Sequence, residues 1–147
     1  GGTGMYFWDN TGNAKYWYYQ KKKINTASPI EITKCHVEFD VDNDILDLTN
    51  YYVEERFQKT LNLLSNKRKL TLSTAPIGDK IDFYCKQFDV KMVKFFGKYC
   101  NTPKTSLFDS DDTSQKLTNQ VKVIYCLKES EINIIKGDIE VVSIEEV

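Results

Sequence analysis

No cysteine pair of the CxxC kind occurs in this chain of 147 residues, and one histidine, His36, stands beside four scattered cysteines, Cys35, Cys85, Cys100 and Cys126. A structural zinc site draws on closely spaced ligand pairs, so no metal site is expected. The acidic cluster Asp109, Asp111 and Asp112 lacks the glycine and the distal glutamate of a calcium-binding loop. A leader that is basic and then apolar is also missing. No apolar run approaches the roughly 20 residues needed to cross a bilayer. The expectation is a cytoplasmic protein with free buried thiols and no membrane partner. Charge of one sign is lacking too, since 20 basic residues meet 21 acidic ones for a net charge of -1. No global field therefore steers the chain toward nucleic acid or anionic lipid, and only local basic patches remain. There is no internal repeat and no low-complexity segment.

What is present suits one domain: 41% hydrophobic and 13% aromatic residues are enough for a single core. Met5 to Trp8 reads as a strand leaving a Gly-Thr-Gly bend. A helix follows, capped by Asn10 or Thr11, with Ala14, Trp17 and Tyr18 at helical spacing and Lys21 to Lys23 complementing its C-terminal dipole. Ile30 to Phe39 alternates as a strand with Thr33, Cys35, Val37 and Phe39 on its buried side and His36 on the other. Asp40 to Asp47 reads as an acidic loop, Thr49 as an N-cap, and Val53, Phe57, Leu61 and Leu64 as the buried stripe of a long helix. Leu70 to Pro76 reads as extended, a second amphipathic helix starts near Asp79, and Val90 to Phe96 returns as a strand. Asn101 to Asn119 is a long polar loop. Val121 to Tyr125, Ile132 to Ile135 and Ile139 to Ile144 complete a β-rich end, with Gly137 set for a hairpin turn. Helices clustered between strands, without strict alternation, give an α+β class.

The segment Gly2-Thr3-Gly4-Met5-Tyr6-Phe7-Trp8-Asp9 resembles the glycine-tyrosine motif of poly(ADP-ribose) polymerase catalytic domains and related toxins, the diphtheria-toxin-like ADP-ribosyltransferases. The likeness extends to a small residue five places and an aromatic eight places after the acidic position, here Ala14 and Trp17. The family usually has Ser and Tyr there, so the hydroxyl that bonds the nicotinamide amide is missing. The resemblance implies a split β-sheet with helices packed on it, and NAD as the bound substrate. It implies that Tyr6 is the tyrosine of a His-Tyr-Glu triad and stacks on the nicotinamide, with Trp17 against the other face. Gly2 and Gly4 would let the backbone bend beside the ligand. The competing reading is an ordinary strand after a glycine turn, with Tyr6, Phe7 and Trp8 as core.

Asn119-Gln120 precedes the strand from Val121 much as Asn-Glu precedes an apolar strand in the polymerases, so the resemblance puts Gln120 at the triad's glutamate. That glutamate stabilises positive charge as the glycosidic bond breaks, and Gln120 keeps an acceptor oxygen without the charge. Three accounts fit: a natural variant limited to single ADP-ribose transfer, a binding-only relative, or a substitution that silences a toxic enzyme. The family's histidine lies upstream of the motif, and His36 has no match to it. The expectation is a domain truncated at its N-terminus, one completed by another polypeptide such as an antitoxin, or one that is not an active transferase. The loop from Thr102 to Thr118 lies where these transferases meet their macromolecular target, and reads equally as a solvated excursion.

Three functions follow as expectations. The first is a toxin-like mono-ADP-ribosyltransferase in which nicotinamide leaves NAD and a nucleophile of a macromolecular acceptor captures the ribose carbon. The second is a non-catalytic nucleotide- or protein-binding module with the same fold. The third is a nucleic-acid-binding accessory domain using Tyr16, Tyr18 and Tyr19 beside Lys21 to Lys23.

Overall fold

A computed structural model of the chain describes residues 1–24, 29–68, 71–99, 102 and 118–143. Strand β1, Met5–Trp8, opens directly from the glycine bend and leads into helix α1, Thr11–Ile24. Asn10 caps that helix: its side-chain oxygen accepts the Asn13 amide at 2.8 Å, satisfying one of the amides a helix start leaves unpaired. Strand β2, Ile32–Val37, is shorter than its sequence pattern, with Cys35, Val37 and Phe39 half-buried but Thr33 exposed.

The acidic stretch expected to be a loop throughout ends in a short strand, β3, Ile45–Asp47, which pairs in parallel with a strand from the far half of the chain. Three residues give no readable period, and the pairing is long-range, so nothing local marks it. Helix α2, Tyr51–Arg68, is capped by Asn50, whose side-chain oxygen accepts the Tyr52 amide at 3.0 Å. Thr49 is not the cap, because its hydroxyl and amide both turn back to Asp47. Helix α3, Ile77–Phe88, and strand β4, Met92–Lys98, follow as expected, and residues 71–76 form no strand.

Strand β5, Val121–Leu127, leads through a 3-10 segment, Glu129–Ile134, into a single strand β6, Ile135–Val142. The expected hairpin at Gly137 is therefore corrected. Gly137 has φ 72° and lies where the β2–β6 register shifts, with Lys34 opposite Glu140 and His36 opposite Lys136. Its left-handed backbone serves a bulge inside one strand instead of a turn between two. The polar loop with its acidic cluster lies almost wholly outside the described residues, as do Cys100 and Ile144.

The class is α+β, with two small sheets. One runs β1-β5-β4-β3 and the other is the antiparallel pair β2-β6. Alternation along β4 and β5 sends their side chains to two cores. Val93 and Cys126 meet Phe57 and Leu61 of α2 and Ile81 and Cys85 of α3 on one face. Met92 and Leu127 meet Ile134 on the other, with Phe7, Val37 and Phe39 packed around them. The four-stranded sheet is thus sandwiched between the α2–α3 layer and the β2–β6 ribbon. No helix among the described residues is long and apolar enough to cross a membrane.

Candidate functional site: an aromatic cleft beside the glycine bend

The glycine bend is fastened from below. The Thr3 amide donates to both carboxylate oxygens of Asp82, at 3.0 and 2.9 Å. Lys128, buried at 8% exposure, spans the same group, with its ammonium 2.8 Å from Asp82 and 2.7 Å from the Gly1 carbonyl oxygen. Burial opposes ionisation of Asp82, but the Lys128 ammonium and the Thr3 amide outweigh it and hold the carboxyl below its usual range. Gly2 has φ 76° and Gly4 φ 153°, and an added methyl would meet Asp82 at the first and the Leu127 carbonyl oxygen at the second. Both glycines therefore serve close approach to α3 and β5.

This bend delivers β1 to the rim of a cleft of about 730 Å³, within the range of small-molecule sites. Tyr6, Ala14 and Trp17 all border it, as do Phe7, Tyr18 and Tyr125. Its second wall is the β2 stretch from Ile30 to Cys35, so it lies between the four-stranded sheet and the ribbon, with α1 at one side. Two carboxylates, Asp9 and Glu31, border it. Asp9 accepts the side-chain amides of Asn10 and Asn13 at 2.8 and 3.0 Å, which fixes the corner where strand becomes helix.

The Tyr6 ring stands edge-on to Phe95 at 6.3 Å on the sheet face of Cys126 and the α2–α3 core, away from the Phe7–Tyr125 face that lines the cleft, and its hydroxyl donates to the Gly2 carbonyl, so it does not stack opposite Trp17. Burial, then the neighbouring Cys126, raises the phenol above its ordinary value, so it remains a donor. Trp17 packs at 5.1 Å against Trp8, tilted by 44°. Gly2, Gly4 and Gln120 do not border the cleft. Gln120 immediately precedes β5, and its backbone oxygen accepts the Tyr99 amide at 2.7 Å. Tyr6 faces Cys126 across the ladder, six residues further along, roughly 20 Å at strand rise.

The sequence motif missed Asp82 and Lys128, which bring sequence-distant groups to the bend without any local pattern. It also missed Phe7 and Tyr125 as a cross-strand aromatic pair. Period-two alternation could have placed those two on one face. A second cavity of about 540 Å³ lies between Phe39, Arg56, Phe88 and the Lys94–Asp47 ion pair, and none of the motif residues borders it. Among the described residues, no group of three or more His, Cys, Asp and Glu is placed to hold a metal.

No protein-family model, no curated protein and no solved structure matches the chain.

Proposed function

We propose that the chain is a mono-ADP-ribosyltransferase domain of the diphtheria-toxin-like kind, with the aromatic cleft as its NAD site and a macromolecule as acceptor. One observation carries the reading: Ala14 and Trp17, two of the residues the motif assigns to nicotinamide, border one aromatic-walled cleft of about 730 Å³ whose rim the β1 strand forms at Tyr6. A flat cationic ring suits π faces, and the Asp9 and Glu31 carboxylates put negative charge at the same rim. Nicotinamide would leave with the glycosidic electron pair, and the ribose carbon would take a lone pair from an acceptor nucleophile that then loses its proton. The chain's task is positioning and charge stabilisation.

NAD binding without turnover is the second reading, favoured by the place of Gln120. About 20 Å of strand separates it from the Tyr6 pairing position, so its side chain does not join Tyr6 on one ligand ring. Calorimetric titration with NAD tests both readings, run beside an assay of released nicotinamide. Saturable heat that Trp17→Ala weakens about tenfold, or roughly 1.4 kcal/mol, supports the site. Release of nicotinamide then selects transfer, and heat without release selects binding. No heat with millimolar NAD overturns both.

A further inference from the structure

Four aromatic rings run in contact from α1 and β1 to the residue that follows β4. Trp17 of α1 meets Trp8 of β1 at 5.1 Å, the Trp8 indole N–H donates to the Tyr99 hydroxyl at 3.4 Å, and Tyr99 meets Tyr16 of α1 at 5.6 Å. All four are half-buried. Each end of the row carries an ammonium: Lys21 lies 5.2 Å over the Trp17 ring and Lys122 lies 5.1 Å over Tyr16.

The charge on helix α1 has one sign, while Asp9 and Glu31 lie at the cleft that Trp17 also borders. Helix α1 holds Lys15, Lys21, Lys22 and Lys23 and no acidic residue. The last three answer the helix dipole, but Lys15 lies in the body of the helix and Lys122 on β5, where that dipole gives no reason for them. Asp9, the nearest carboxylate before the helix, is bound to Asn10 and Asn13.

We infer that this row is a binding surface for single-stranded nucleic acid. Bases have the flat faces that aromatic rings take without regard to sequence, and the phosphate backbone carries the charge opposite to that of the α1 lysines. A lysine over a partly exposed ring is held weakly. A base can take its place on the ring while the ammonium moves to the adjoining phosphate, so the contact seen here is exchanged and not lost. A duplex hides its base faces and offers phosphates only. If the proposed transfer reaction holds, the strand is its acceptor, brought to the cleft that Trp17 also borders; the binding itself does not depend on that reading.

The chain has two tryptophans, Trp8 and Trp17, and both belong to the row, so tryptophan emission reports on it alone. The probes are oligothymidylate and oligouridylate of about 15 nucleotides, the matching duplex, and polyglutamate, each titrated at about 50 and 200 mM salt. Expected are saturable quenching by the single strands and binding that weakens steeply with salt. The folded triple variant K21A/K22A/K23A should bind about tenfold more weakly, with a salt slope smaller by about 2. Should that variant fail to fold, Lys122→Gln is read in its place and should weaken binding about threefold. No binding at the lower salt overturns the inference. Equal quenching by the duplex marks a plain polyanion surface, and equal quenching by polyglutamate an acidic polypeptide site; either result also overturns it. Single-strand binding in a protein that does not bind NAD upholds this surface and removes only the cleft assignment.

Discussion

Phe57 shows what a single side chain contributes here. At 1% exposure it fills the space between α2, α3 and the sheet, and its ring meets Tyr84 at 5.0 Å. Phe57→Ala should lower stability by about 3–5 kcal/mol in denaturant melts, the range for a buried aromatic reduced to a methyl. Asp82 is a different case, because its energy depends on pH. Its folded carboxyl is held below the usual value by Lys128 and Thr3 against the opposing effect of burial, so its contribution is complete above the ordinary carboxylate range. It fades as pH falls through the lowered folded value. Asp82→Asn should therefore cost about 2 kcal/mol near neutral pH by weakening the hold on buried Lys128. Melts of wild type and variant should converge in strong acid, and a constant gap at every pH would contradict the clamp. Cys85, nearby, is pushed up to about 12 mainly by burial, so its thiol stays protonated and inert.

At the scale of elements, the helices follow from local chemistry. Asn10 and Asn50 each end a non-helical approach with a side-chain acceptor for the first turn. Asn50→Ala should cost about 0.5–2 kcal/mol, while Thr49→Ala should not show the loss of a cap, and thermal melts of the pair check which residue starts α2. The α2 stripe was legible because Val53, Phe57, Leu61 and Leu64 repeat over three turns, far longer than any accident of composition. Strand β3 was not, since its three residues are made a strand by β4 alone. Gly137 was legible as a left-handed position but not as a bulge. That distinction depends on β2, about 100 residues earlier, which supplies the partner register. The candidate site divides the same way. Tyr6, Ala14 and Trp17 lie within one strand-to-helix unit, so their spacing carries to space. The β2 wall, Tyr125 and the Asp82–Lys128 clamp come from distant segments and have no motif.

For the molecule as a whole, the account rests on two sheets that part around an aromatic cleft, with the glycine bend clamped against α3 so that β1 and α1 meet at its rim. A second cavity lies near Arg56 and Phe88, which makes location as informative as affinity. The direct measurement is a two-dimensional amide NMR titration of the isotopically labelled protein with nicotinamide and then NAD. The account predicts shifts concentrated on Asn10, Ala14 and Trp17 on one wall and on Thr33 to Cys35 on the other, larger with NAD than with nicotinamide. Shifts that are absent, or that gather around Arg56 and Phe88, would contradict it.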